Sequence, residues 1–369
     1  MAAIVTGIGT ALPAETRSTN FYVDHAKQFL CETPRQAAVL KELYRRTEIS
    51  SRASVLNSSR YGKSLEQMYY PRTRPDDSGP GTQMRMQCYT REVLALALTS
   101  CRRALADSGI ECDTITHLIT VSCTGFFAPG FDVQLIEELP LKRDTERTHI
   151  GFMGCHGAMN ALRVARGLIE ARPENVVLVC AAELCSLHFQ YEWTPDNVVA
   201  NALFSDGAAA LIMRSAPPPS TGGANGGFGV NVSASGSFVV PNTADEMTWN
   251  IGDHGFKMRL AATVPDIVSE WLPGWIKGWL GRLGYSLSDI SGWIVHPGGP
   301  RILDAVESCL ELREGSLAAS RAILSECGNM SSPTVLFILE RMRRSLKGPC
   351  VMLGFGPGLT IEAALLSSD

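Results

Sequence analysis

A chain of 369 residues with 45% apolar side chains has material for a large core, arranged as two domains or one duplicated one. Its 33 basic and 37 acidic residues leave a net charge of −4, so it carries no overall electrostatic footprint for nucleic acid or an anionic membrane. No apolar run approaches the roughly 20 residues that span a bilayer. The 11 cysteines are scattered, with no CxxC pair and no Cys/His cluster at zinc spacing, so no metal site is expected and most read as reduced, buried residues of a cytoplasmic protein.

The opening "MAAIVTGIGTALP" lacks the basic head and long apolar stretch of a secretory signal and reads as a first strand. Residues 50–83, with "YYPRTRPDDSGPG", have no sustained period and read as a surface excursion. From residue 104, "ALADSGIECDTITHLITVSCTG" runs helix end, glycine, polar turn, apolar strand and small loop. The strand "THIGFM" then turns through Gly154 into "GCHGAMNALRVARGLIEARPENVVLVCAAE", a helix followed by a strand. On that helix Ala161, Leu162, Ala165, Leu168 and Ile169 share one face. "SAPPPSTGGANGG", residues 215–227, is a Pro/Gly/Ser-rich seam between a half spanning 1–214 and a half spanning 228–369.

The second half echoes the first. "GWLGRLGYSLSDISGWIVHPGG" repeats the helix, glycine turn, strand and loop, and "GNMSSPTVLFILERMRRSLKGPCVMLGFGPG" repeats the helix and strand. Cys123 to Cys155 is 32 residues, and His296 to Asn329 is 33. Alternating strands and helices predict α/β layers with helix-covered sheets, and two copies of one unit predict pseudo-symmetric halves.

Reactive groups in such folds collect at strand ends and helix starts. Cys155 sits at a helix start, where free amides and the helix dipole favour a thiolate. Its neighbour His156 points elsewhere, because adjacent residues on a helix do not face one another; a structural or subunit-contact role fits it. Asn329 takes the equivalent helix start in the other half, and His296 ends a strand in "IVHPGGP". Cys155, His296 and Asn329 are therefore expected to converge on the pseudo-axis.

"GFMGCHGAMNALRVA", "ALFSDGAAALIM", "VHPGGPRILDAVE", "CGNMSSPTVLFIL" and "GFGPGLTIEAALL" together resemble the type III polyketide synthases of the chalcone synthase superfamily, in collinear order over nearly the whole chain and in a bacterial style. The resemblance implies a homodimer with the thiolase-like αβαβα layered fold. It implies that Cys155 takes an acyl group from a starter acyl-CoA, held as an ion pair with His296. Malonyl-CoA is then decarboxylated, with His296 and Asn329 as donors to the enolate, and the chain grows by two carbons per cycle until a ring closes. CoA thioesters are substrates, and no metal or redox cofactor is implied. Phe204 and Phe256 match the gatekeepers between CoA tunnel and cavity. Gly354, Phe355 and Gly356 match the loop shaping the cavity floor. Pro129, with Ala128 and Phe127, matches the loop that reaches across the dimer interface. Arg45, Arg46, Arg52 and Arg301 are the candidate partners of the CoA phosphates.

Cys123, Cys185, His188, Met247 and Ser331 match the product-determining wall. Plant members commonly place threonine at the first three of these and glycine at the fourth. Small Cys123 and Cys185 beside deformable Met247 favour an aliphatic starter and an alkylpyrone or alkylresorcinol product. The runner-up is a ketoacyl synthase III-type enzyme making one condensation with acyl carrier protein. A non-catalytic binding protein of the same fold would lack the Cys, His or Asn, and all three are present.

Overall fold

The computed structural model describes residues 2–57, 69, 74, 76–216 and 229–368. In the N-terminal half these form β1 (Ala3–Ala11), β2 (Thr16–Ser18), α1 (Thr19–Leu30), α2 (Pro34–Arg46), β3 (Ser51–Ala53), α3 (Thr82–Ser108), β4 (His117–Ser122), α4 (Phe131–Glu138), β5 (Glu146–Gly151), α5 (Gly157–Ala171), β6 (Val176–Leu184), α6 (Pro195–Leu203) and β7 (Asp206–Ser215). The C-terminal half follows with β8 (Val230–Val239), β9 (Met247–Gly252), β10 (Gly255–Leu260), α7 (Val264–Arg282), β11 (Gly292–Val295), α8 (Pro300–Cys309), α9 (Ala318–Cys327), α10 (Thr334–Met342), β12 (Pro349–Gly356) and β13 (Thr360–Ser368).

Nine strands join in the order β11-β12-β13-β8-β1-β7-β6-β4-β5. The order is a duplication read outward from the middle. β1, β7 and β6 pair antiparallel and β6 with β4 parallel; β8, β13 and β12 pair antiparallel and β12 with β11 parallel. β5, parallel to β4, has no counterpart among the described residues of the second half. Only Ile4 with Asn231 and Val5 with Val230 join β1 to β8.

Strands covered on both faces read as continuous apolar runs rather than alternating ones. β6 ("VVLVCAAEL") is such a run, buried at all but its first residue. Its Val177, Val179 and Ala181 face a central cluster built on α5 and α10, which also takes Met352 of β12 and Ala364 of β13. Its Leu178, Cys180 and Ala182 face α3. Beyond the second half-sheet, Val351, Leu353 and Leu365 pack on α7 and α8. The layers are therefore helix, sheet, helix pair, sheet and helix, the expected αβαβα arrangement, and α5 and α10 are the two central helices whose apolar stripes were legible.

Two irregular stretches differ from expectation or fall outside it. The seam lies beyond the described residues from 217 onward. Residues 50–83 are not a plain surface excursion in their described parts: β3 pairs with β2, Arg52 and Tyr69 are buried, and the Tyr69 hydroxyl donates to the Leu187 carbonyl at 2.7 Å. Val55 and Tyr69 pack inward there although no period announces it.

Candidate active site

β5 ends in a tight reversal. Phe152 and Gly154 both adopt positive φ, +56° and +72°. A Cβ at Gly154 would lie 2.5 Å from Pro357 Cδ, so the turn needs glycine both for its backbone angle and for its contact with the "GFGPG" segment. Cys155 follows in a short turn of 3-10 helix that leads into α5. His296 leaves β11 with its amide bound to the Leu353 carbonyl at 2.8 Å. Asn329 precedes α10 and is locked to the other half: its amide donates to the Leu203 carbonyl and its carbonyl accepts from the Ser205 amide, both at 2.9 Å.

Cys155, His296 and Asn329 line one cavity of about 360 Å³, which opens past Arg46, Pro195 and Arg301. Cys155 also lines a second, inner cavity of about 100 Å³ with Cys123, Cys185, His188, Trp249, Phe256 and Ser331. Phe204, Met247 and Met258 border both cavities and so stand between them.

The charge state of this cluster follows from burial. Loss of solvent pushes the Cys155 thiol up to about 11; hydrogen bonding from Ser331 lowers it, the Glu183 charge raises it, and hydrogen bonding from Asn329 lowers it again. Burial likewise pushes His296 down to about 3, helped by His156. Asn329 Oδ1 accepts from the Ser331 amide at 2.8 Å, which leaves its amide nitrogen for the sulfur. Among the described residues neither ring nitrogen of the buried His296 has a hydrogen-bond partner. Burial thus favours the Cys155 thiol over its thiolate and the neutral His296 imidazole over the imidazolium, against the pull of the amides at the helix start. Alkylation of Cys155 by iodoacetamide should accordingly rise with pH throughout the range 6 to 9 with no plateau, as followed by peptide mass. A plateau beginning below pH 8 would mean that a thiolate is present at rest.

Residues 1–217 match the N-terminal domain of the chalcone and stilbene synthases, and residues 231–368 match the C-terminal domain. This chain belongs to that family, the type III polyketide synthases. It is similar to type III polyketide synthase 21 of Oryza sativa subsp. japonica, 32% identical over 99% of this chain and 93% of that protein. It is also similar to a 1,3,6,8-tetrahydroxynaphthalene synthase of Streptomyces peucetius subsp. caesius, 35% identical over 74% of this chain and 72% of that protein. Among solved structures, the C-terminal type III polyketide synthase domain of Steely1, a type I/III hybrid from Dictyostelium, superposes with a TM-score of 0.89 at 28% identity, covering 100% of this chain and 99% of that one.

In this type III polyketide synthase several matched positions sit elsewhere than expected. Arg52 is 3% exposed, stacked over the rings of Tyr22 and Tyr44, and donates to the backbone carbonyls of Asn201 and Phe204. It braces the gate segment and does not reach a phosphate at the outer mouth. Arg45 lies on the exposed side of α2, paired with Glu42 at 2.6 Å and away from the cavity lining. Arg46 and Arg301 remain at the mouth. Phe256 borders only the inner cavity, so the junction belongs to Phe204 with Met247 and Met258. Phe355 lines the outer cavity, but Gly354 and Gly356 serve His156: a Cβ on Gly356 would lie 2.3 Å from His156 Cδ2, and one on Gly354 3.1 Å from His156 Cβ.

His156 is 2% exposed and is built into a polar chain. Its Nδ1 donates to Asn160 Oδ1 at 2.7 Å, and the Asn160 amide donates to Glu362 at 3.2 Å. Glu362 also accepts from Arg163 and Ser237, both at 2.7 Å. The chain ties α5 to β13 and β8 and leaves His156 no part as partner to the thiol.

Sequence reasoning missed Glu183. It is fully buried and accepts from the Ser122, Thr124 and Ser332 hydroxyls, the Cys123 thiol, and the amides of Cys123 and Thr124. Burial raises its pKa and these donors oppose the rise. Each hydrogen bond to a charged group contributes about 1.5–3 kcal/mol, so these donors offset part of the burial penalty, which still leaves the pKa raised. Its sequence signal was there: one glutamate inside the apolar run "VVLVCAAELC".

Proposed function

We propose that this type III polyketide synthase loads an acyl group from a starter acyl-CoA onto Cys155, extends it with malonyl-CoA and closes the chain to an alkylpyrone or alkylresorcinol. The observation that carries the reading is the convergence of Cys155, His296 and Asn329 on one outer cavity, with both His296 nitrogens unpartnered. In loading, the Cys155 sulfur attacks the thioester carbonyl while His296 takes the thiol proton. The C–S bond to CoA breaks, and that proton passes to the departing CoA sulfur. Malonyl-CoA then loses its carboxylate as carbon dioxide, and the bonding pair moves into an enolate. The neutral His296 N–H and the Asn329 amide donate to the enolate oxygen. The enolate carbon attacks the Cys155 thioester and displaces the Cys155 sulfur. Arg46 and Arg301, which line the outer cavity, are the proposed partners of the CoA phosphates, and the scheme uses no metal or redox cofactor.

The working unit is proposed to be a homodimer. β5 is the open edge of the sheet, and exposed Phe126, Phe152 and Met153 adjoin it. An open edge beside an apolar patch suits a self-complementary contact with a second copy. All eleven cysteines are free, which supports a reducing, cytoplasmic setting, and among the described residues no helix is long and apolar enough to cross a membrane.

The aliphatic starter rests on the inner cavity, whose wall includes Cys123, Cys185, Met247 and Met258. The name of the Streptomyces relative favours a second reading, in which the product is tetrahydroxynaphthalene. Product mass across malonyl-CoA alone and short, aromatic and long-chain acyl-CoAs separates them. Highest turnover with a long aliphatic chain and alkyl-bearing products is expected. Tetrahydroxynaphthalene from malonyl-CoA alone would replace the aliphatic reading.

A further inference from the structure

Phe204 and Asn329 meet as an isolated parallel bridge between the two halves. Asn329 Oδ1 accepts from the Ser331 amide at 2.8 Å, so the side chain follows its own backbone, and whatever sets that backbone sets the amide nitrogen. A donor to a developing oxyanion has to be held closely. The bridge therefore depends on what stands behind it.

Arg52 stands there, buried on β3, and reaches both sides of the bridge. On the Phe204 side, its Nη1 donates to the carbonyls of Asn201 and Phe204 at 2.8 and 3.0 Å. These carbonyls end α6, where a helix leaves acceptors unpaired and a cation is favoured. On the Asn329 side, its stem packs on Gly328. A Cβ at Gly328 would lie 2.9 Å from Arg52 Cγ and 3.1 Å from Cδ, and φ there is +73°. Glycine thus lets the stem press on the residue just before Asn329. The strand that carries Arg52 is stitched to the end of α9 as well. The Ser50 amide donates to the Ser325 carbonyl and the Ser51 hydroxyl to the Glu326 carbonyl, both at 2.8 Å. The guanidinium sits over the Tyr22 ring at 4.2 Å and the Tyr44 ring at 5.4 Å, which holds its head from the far side.

We propose that Arg52 is a positioning residue that holds Gly328 by its stem and Phe204 by its head, and thereby keeps the Asn329 amide in place as a donor to the enolate oxygen. The donor role rests on the proposed function; the brace does not. Arg52 acts through the backbone of Asn329.

Two variants test it. Arg52→Met keeps a stem against Gly328 and removes both hydrogen bonds. Arg52→Lys keeps the charge on a shorter side chain. Carbon dioxide release from malonyl-CoA should fall about tenfold or more in Arg52→Met and by less in Arg52→Lys, in kcat and not through a raised KM. In an Asn329→Ala background neither substitution should lower it further by more than about twofold, because the amide that Arg52 positions is already gone. Hydrogen exchange of the peptides 200–206 and 326–331 reads the brace without any reaction. It should quicken about tenfold in Arg52→Met, with α5 unchanged. An equal fall in both backgrounds overturns the positioning of Asn329. A raised KM with parental kcat overturns it too, and returns Arg52 to the CoA phosphates. Parental exchange in both peptides overturns the brace. If Arg52→Met does not fold, Arg52→Lys decides by the same readouts. If the parent itself releases no carbon dioxide, the proposed function fails, while the exchange data still judge the brace.

Discussion

Cys155→Ala will take up no acyl group from a starter acyl-CoA. The loss should be complete, because no neighbouring thiol stands in. Cys123 and Cys185 border the inner cavity and not the outer one that holds His296 and Asn329. Cys123 donates its thiol hydrogen to Glu183 at 3.2 Å. Burial, followed by the Glu183 charge, holds both thiols well above their ordinary range, so neither presents a thiolate. Intact mass after brief exposure to acyl-CoA reports the result, with alkylation of the remaining cysteines as a control for folding. An adduct of unchanged yield in Cys155→Ala would remove it as nucleophile.

His296→Gln should lose both partial reactions. A glutamine amide is not a base, so the proton of a thiol raised to about 11 has nowhere to go as the sulfur attacks, and loading should fall by about 10²–10⁴. Decarboxylation of malonyl-CoA should fall by about 10²–10³, the range for one donor at a developing oxyanion, with Asn329 left as the remaining donor. His156→Gln is the matched control. His156 sits one residue from the thiol but faces Asn160 and the glycines of β12, so most of both activities should survive its replacement. Adduct formation and carbon dioxide release are the two readouts. The reverse pattern, activity lost with His156 and kept with His296, would return the partnership to the adjacent residues.

The layered fold was legible because its signals are local and repeated: apolar stripes on α5 and α10, buried runs at β6 and β12, and matched spacings from Cys123 to Cys155 and from His296 to Asn329. The meeting of Cys155, His296 and Asn329 was legible because the duplication gives them equivalent strand or helix ends. What escaped depends on contacts far apart in sequence. Arg52 looked like a phosphate ligand until Tyr22, Tyr44 and two carbonyls some 150 residues away enclosed it. Gly354 and Gly356 looked like cavity floor, but Gly356 makes room for the His156 ring and Gly354 for Met159 and the His156 Cβ. The upward push on the Cys155 thiol comes from burial, which is a property of the assembled halves and not of its place at a helix start. Phe256 was assigned to the junction by motif, yet the path of the β9–β10 hairpin puts Met247 and Met258 there with Phe204.

The two hydrogen bonds that join Leu203 and Ser205 to Asn329 have a mechanical consequence. They clamp the backbone on either side of Phe204 to the backbone of Asn329, so the residue between the cavities and the amide beside Cys155 form one rigid body, half from each copy of the duplicated unit. Any slide of that segment to widen the passage would carry the Asn329 amide away from the sulfur by a similar amount. Widening without misaligning the chemistry therefore falls to the parts outside the clamp: rotation of the Phe204 ring about its own side-chain bonds, or displacement of the opposite wall that carries Met247 and Met258. The protein thus separates a stiff side, which keeps register with Cys155, from a compliant side, which accommodates whatever passes.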